Sequence, residues 1–140
     1  MFQLDSSNPF QARVADRLTK EIVGWLTTVG ADGVPQPSLV WFLWDGGDRI
    51  QIYSQDNQKV RNINRNAGVS FNFDGDGKGG NMIVLTGTAE INSSGPSATD
   101  NAPYVEKYAS GIKSLGTDPA GFAREYHKPI VITITKLRGH

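Results

Sequence analysis

The residues with the clearest chemical potential lie in one run, Tyr53-Ser54-Gln55-Asp56-Asn57-Gln58-Lys59-Val60-Arg61-Asn62. A strand ending in a hydroxyl residue gives way there to a helix whose first turns carry Lys59 and Asn62. Spaced three apart, those two share a helix face, opposite the apolar stripe of Val60 and Ile63. The Ser54 hydroxyl, the Lys59 ammonium, the Asn62 amide and free N–H groups of the first turn can then converge on one anion. Helix N-termini favour phosphate through unpaired donors and the positive end of the dipole. Arg61 can hold a second negative group, whereas Asp56 adds an opposing charge at the same end. The same run also reads as a capped surface helix with solvated lysine and arginine, and as the anion-gripping cation Lys59 is itself expected to be largely exposed. Spacing alone does not separate the two.

Other chemistries find little support. The chain has no cysteine, which excludes disulfides, zinc–thiolate sites, iron–sulfur clusters and a thiol nucleophile. Its two histidines, His127 and His140, stand apart without metal-ligand spacing, so no metal site is expected. No serine sits in a nucleophile-elbow pattern. The run Asp74-Gly75-Asp76-Gly77-Lys78-Gly79-Gly80 is no phosphate loop, because glycine follows Lys78 where Ser or Thr is needed. Nor is it a calcium loop, since Leu85 takes the place of the late bidentate glutamate. It reads as a flexible hairpin connection that overhangs the pocket. No catalytic acid–base team is evident.

The elements that must position the Ser54–Asn62 run are mostly strands. Asn8 and Pro9 form an N-cap and first-turn proline for a helix over Phe10–Lys20. Glu21–Val29 and Gln36–Trp44 are rich in β-branched and aromatic residues and flank the turn Gly30-Ala31-Asp32-Gly33, which predicts a hairpin. In the second of these, Leu39, Trp41 and Leu43 alternate with Val40, Phe42 and Trp44, so something must cover the outward face. Arg49–Ser54, a strand through Val69, Phe71 and Phe73, Met82–Ile91 and Ile130–Thr135 alternate in the strand period. Asp56 or Asn57 caps a helix running through Arg65, and further helices are expected at Pro103–Ser110 and Pro119–His127. Asn92–Asn101 is small and polar, a surface loop. Six mostly antiparallel strands with short helices predict a closed or partly closed barrel, mainly β, in a single domain over residues 1–140.

Composition bounds the partners. Fourteen basic residues balance fourteen acidic ones, so no overall field draws the chain to nucleic acid or a lipid surface. Met1–Arg17 lacks a continuous apolar stretch and carries Asp5 and Asp16, unlike a secretory signal. No segment approaches the ~20 apolar residues of a membrane helix. A cysteine-free chain fits a reducing, cytoplasmic setting.

Leu26–Thr28, the turn at Asp32-Gly33, Pro35–Trp44, Tyr53-Ser54 and Lys59-Val60-Arg61-Asn62 together resemble the pyridoxamine-phosphate-oxidase-like split barrels, especially the flavin/deazaflavin oxidoreductases that use coenzyme F420. The likeness is strongest over residues 22–73 and weaker in the closing Ile134–His140. It implies a six-stranded antiparallel split β-barrel, a homodimer with the cofactor at the subunit interface, and a small-molecule substrate. It also implies that Ser54, Lys59 and Asn62 grip the cofactor phosphate, with Arg61 beside the phosphate or tail. Pro37, Ser38, Leu39 and Val40 would lie along the tricyclic ring edge, flanked by Tyr53 and Gln55. The partner subunit would then cover Trp41, Phe42 and Trp44, unless these simply fill the core. A deazaflavin or flavin carries hydride itself, which suits a chain without acid–base residues. The implied activity is hydride transfer from reduced F420 to an enone, quinone or similar acceptor. F420 suits Arg61 and Arg65 through its acidic tail. Flavin mononucleotide (FMN) in an oxidoreductase of the same family, or an F420 carrier without turnover, are the alternatives.

Overall fold

The computed structural model describes residues 1–140. Helix α1 (Pro9–Lys20) is followed by strands β1 (Gly24–Val29), β2 (Pro35–Val40), β3 (Leu43–Trp44) and β4 (Arg49–Ser54), then α2 (Gln58–Arg65), β5 (Gly68–Asn72) and β6 (Ile83–Ile91). Helices α3 (Ala102–Ser114) and α4 (Pro119–Glu125) precede the last strand, β7 (Lys128–Gly139). No helix is long and apolar enough to cross a membrane.

The strands form one antiparallel sheet of seven strands in the order β2-β1-β5-β6-β7-β4-β3. Its two edge strands, β2 and β3, are separated in sequence only by Trp41 and Phe42. Three Cα steps of ~3.8 Å cannot span more than ~11 Å, so the sheet must curl until its edges nearly meet. A barrel split at one seam results. A bulge assists the curl: the β6–β7 register steps from Thr86↔Lys136 to Gly87↔Ile134, leaving Thr135 unpaired in the ladder. Gly87 is required there because a Cβ would collide with the Thr133 carbonyl.

Six expected strands thus become seven. Gln36–Trp44 is not one strand, because the seam breaks it after Val40. The break also settles the outward aromatics. Phe42 turns into the barrel, fully buried against Phe71 and Phe73. Trp44 packs on the same core, and Trp41 stacks on Tyr108 of α3 (4.6 Å between ring centres) and Phe122 of α4 (5.5 Å). Their cover comes from this chain's own elements. Gly111 makes room for the indole, since a Cβ there would lie 2.9 Å from it.

Within the barrel, Leu26, Ile50, Ile52, Phe71, Ile83, Leu85, Ile130 and Ile132 meet Val14 and Leu18 of α1 and Val60 and Ile63 of α2. Alternation along the strands and 3–4 spacing along the helices direct these side chains inward. A second cluster, Tyr53, Ala98, Tyr104, Tyr108, Ile112 and Phe122, joins α3 and α4 to the seam. Tyr104, Tyr108 and Ile112 follow one another every fourth residue on a single face of α3.

Polar bonds hold the two critical joints. At the seam, the Tyr108 hydroxyl accepts from the Phe42 N–H (2.8 Å) and has the Ile22 and Phe42 carbonyls in donor reach (2.8 and 2.9 Å). The Lys107 ammonium donates to the Phe42 carbonyl (2.8 Å) and lies 3.8 Å from the centre of the Phe42 ring. At α2, fully buried Asn62 donates to the Thr28 hydroxyl (3.0 Å) and to Gln36 Oε1 (2.9 Å), and accepts from Gln58 (2.8 Å). Asn62 therefore clamps α2 to the β1–β2 hairpin.

Two expectations follow. Asn62→Ala leaves buried polar partners unsatisfied and lowers stability by about 1–3 kcal/mol in urea denaturation. Burial pushes the Lys107 ammonium from 10.5 down to about 8, with Glu21 opposing. Between those values the unfolded chain binds the extra proton, so stability rises with pH from about 8 to about 10. Lys107→Met flattens that rise. Above about pH 10 the buried Tyr108, whose ionisation is pushed up by burial, turns the curve downward in both proteins.

Candidate functional site

A cleft of about 300 Å³ opens where β2, β4, α2, α3 and α4 approach one another, at the low end of the size range for ligand sites. Its polar end comes from the turn between β4 and α2. Ser54 is the last residue of β4 and is buried; its hydroxyl donates to the Gln55 carbonyl (2.7 Å) and accepts from the Lys59 ammonium (3.3 Å). Lys59 is half-buried, and burial lowers its proton affinity below the ordinary lysine range. No carboxylate lies within ion-pair reach of it; the ion pairs of the chain are Arg17–Glu21 and Lys20–Asp16, on α1 and its C-cap. Asn57 stands at the N-cap of α2, but its side chain accepts from the Ser54 hydroxyl (3.4 Å) and from no helix N–H, and no acidic residue occupies the helix's first turn. A partly desolvated cation, a hydroxyl and an uncapped helix start therefore meet, an arrangement that favours an anion.

The other end is aromatic. Trp41, Tyr53, Tyr104, Phe122 and Tyr126 line it, with Ile52 beneath and Leu39 and Leu115 at the mouth. Leu39 is 53% and Leu115 55% exposed, which is high for leucines. The Tyr53 hydroxyl donates to the Pro96 carbonyl (2.9 Å) and accepts from the Asn101 amide (3.1 Å), which fixes its ring.

Of the residues expected at the site, the fold gathers Leu39, Val40, Tyr53, Ser54, Gln55 and Lys59 around this cleft. Gln55 is exposed at the rim and donates to Glu125 (2.8 Å). Asn62 is not brought to the Ser54–Lys59 pair, because its amide is spent on Thr28 and Gln36. Arg61 is exposed outside the lining, with its guanidinium on Gln58 (3.3 Å). Pro37 and Ser38 lie further along β2, beyond the cleft wall, and the Asp74–Gly80 loop does not overhang it. Lys59 is not the largely exposed side chain expected of it as the anion-gripping cation, since it is half-buried in the lining. Sequence reasoning missed the wall formed by Tyr104, Phe122 and Tyr126. The regular Tyr104/Tyr108/Ile112 stripe was the available signal for it.

The lining suits a planar ring system bearing one anionic group. Aromatic walls offer stacking area, and the Lys59 ammonium, held by the Ser54 oxygen, offers the anion contact. No histidine, methionine or cysteine lines the cleft.

Comparison with curated proteins yields no match. Solved structures do match. An F420 reductase shares 25% identity at a TM-score of 0.66, over 88% of this chain and 94% of that one. The conserved hypothetical protein Rv2991 of Mycobacterium tuberculosis shares 24% at 0.64, over 91% and 81%. The heme storage protein HutZ of Vibrio cholerae shares 14% at 0.62, over 93% and 94%, a likeness of fold alone. The profile of the pyridoxamine 5'-phosphate oxidase family matches residues 10–140. With nearly the whole chain matched and a split barrel observed, the protein belongs to the pyridoxamine 5'-phosphate oxidase family.

Proposed function

We propose that the chain binds a flavin-type cofactor in this cleft, with coenzyme F420 as the ligand, and works as a reductase of electron-poor small molecules such as enones or quinones. One observation carries the reading: a half-buried ammonium without a carboxylate partner stands at the polar end of an aromatic cleft. Likeness to an F420 reductase at 25% identity supports the choice of cofactor. So do Arg61 and Arg65, exposed on α2 and available to an acidic tail.

Reduced deazaflavin supplies the hydride when bound, so the chain's task is to bind, orient and exclude water. Lys59 neutralises the phosphate, and the Ser54 hydroxyl, whose own proton goes to the Gln55 carbonyl, accepts from the ammonium and positions it. The β2 edge at Leu39 and Val40 offers backbone donors and acceptors to the rim of the ring, since no strand pairs beyond it. Trp41, Phe122 and Tyr126 keep water from the far side. The apolar lips Leu39 and Leu115 are closed by a second copy of the chain in this reading, giving a homodimer with the cofactor between subunits.

FMN is the alternative ligand. It is favoured by the lining itself, whose one cation asks for nothing beyond one phosphate. A carrier role for F420 keeps the same contacts without turnover. Parallel titrations with F420 and FMN distinguish the cofactors, and an acceptor panel separates reductase from carrier.

Lys59→Met keeps the aliphatic stem and removes the charge. It is expected to weaken cofactor binding about 10- to 100-fold in fluorescence titration while the fold survives. Because the anion needs the protonated amine, wild-type affinity falls as pH rises towards 10.5, beginning below the usual lysine range. The methionine variant lacks that fall. Equal affinity of the two proteins at neutral pH rejects the assignment of Lys59.

A further inference from the structure

Helix α3 is two helical pieces joined at a kink. Tyr108 leaves the helical region (φ −108°, ψ 15°), and it is the residue whose hydroxyl binds the seam. Ser110 and Gly111 follow directly, and serine–glycine pairs are where helices bend. The two pieces are anchored differently. Before the bend, Lys107 and Tyr108 bind the backbone of Phe42 and Ile22. Beyond the turns of α3 itself, the chain from Ala109 to Tyr126 has two hydrogen bonds to the rest of the molecule. The Thr99 hydroxyl donates to the Pro119 carbonyl (3.2 Å), and the Gln55 amide donates to the Glu125 carboxylate (2.8 Å). Both are exposed, which marks a segment of low local stability. The rest of its hold is apolar, through Ile112 and Phe122 in the α3 cluster, with Phe122 lying on Trp41. Such contacts are non-directional and part without breaking bonds.

The same segment is one side of the cleft. Leu115, Phe122 and Tyr126 belong to it, whereas Trp41, Tyr53, Ser54, Lys59 and Tyr104 stay with the barrel. Gln55 stands at the barrel-side rim, so its bond to Glu125 ties the two sides together. At about 300 Å³ the cleft is small for a ligand site, and a ring system with a phosphorylated chain calls for more room.

We infer that Ala109–Tyr126 is a lid over the cleft, hinged at the Tyr108 kink and latched by the Gln55–Glu125 hydrogen bond. Closed, the latch and the Phe122–Trp41 stack hold the wall rigid. Open, they part together, and Phe122 leaves Trp41 carrying Tyr126 with it. Tyr108 suits the pivot, because its hydroxyl keeps the first half of α3 on the seam while its backbone absorbs the bend. The lid goes beyond the cofactor reading, since it governs how any ligand enters and leaves, whichever ligand that is.

Glu125→Ala removes the latch at an exposed position. In the ligand-free protein, hydrogen exchange at the amides of Ile112–Leu115 and Phe122–Tyr126 should quicken about fivefold, while Val105–Lys107 and the strands exchange as in wild type. Glu125→Gln, whose amide oxygen still accepts from Gln55, should match wild type. Stopped-flow binding of F420 and of FMN reads the gate itself. For whichever of the two the wild type accepts, association and dissociation of Glu125→Ala should both rise about fivefold and leave Kd unchanged, because the latch closes over the empty and the filled cleft alike. Exchange that stays at wild-type rates, quickens only at Arg124–Tyr126, or quickens equally throughout the chain overturns the inference. So does Glu125→Gln behaving like the alanine variant. Unchanged binding rates, or a change in Kd carried by one rate alone, overturn it as well and leave the cofactor reading intact. If the wild type binds neither cofactor, that reading falls, and the exchange measurement still decides the lid.

Discussion

Closure of the sheet at a two-residue seam is the constraint on which the rest of this structure depends. β2 and β3 lie at opposite edges of a seven-strand sheet, yet Trp41 and Phe42 alone connect them. The connection can exist only if the sheet coils into a barrel, and the Gly87 bulge and the long β7 supply that coil. At the seam itself the ladder stops, and the backbone groups of Phe42 need partners from elsewhere. Tyr108 and Lys107 provide them from α3. The helix that repairs the split is thus the helix that walls the cleft.

The seam residues Trp41 and Phe42 point to opposite sides and do opposite work. Phe42 completes the barrel interior against Phe71 and Phe73. Trp41 faces outward and founds the aromatic cluster with Tyr108 and Phe122. One side of the junction is therefore devoted to stability, and the other builds a wall against which a planar group can lie. Dispersion and quadrupole contacts among stacked and edge-on rings make that wall rigid without hydrogen bonds of its own. A rigid apolar wall lowers the local dielectric, so the single ammonium opposite it attracts an anion more strongly than a solvated lysine does.

The cleft is economical in charge. Lys59 is the one cation of the lining, and Ser54 is oriented by its bond to the Gln55 carbonyl so that its oxygen faces the amine. The uncompensated charge of the cleft wall, the Lys59 ammonium, is a donor. A site whose unmatched groups are donors is complementary to a ligand whose unmatched groups are acceptors. Phosphate-bearing ring systems with carbonyl oxygens have that character.

The amino-acid sequence by itself determined the element types, the strand-to-helix junction at Ser54–Lys59 and the family resemblance. Each rests on local periodicity, turn chemistry or capping, which neighbouring residues decide among themselves. It did not determine where Gln36–Trp44 would break, because the break answers to closure between strands far apart in the chain. Nor did it reveal that Asn62, one turn beyond Lys59, serves the hairpin and not the pocket. On a helix three residues apart means a shared face, but a face can span the border between core and cleft, and only packing draws that border. The Tyr104, Phe122 and Tyr126 wall was likewise decided by tertiary structure. These residues lie 45 or more positions from the Ser54–Lys59 junction, and only docking of α3 and α4 over the seam brings them to it.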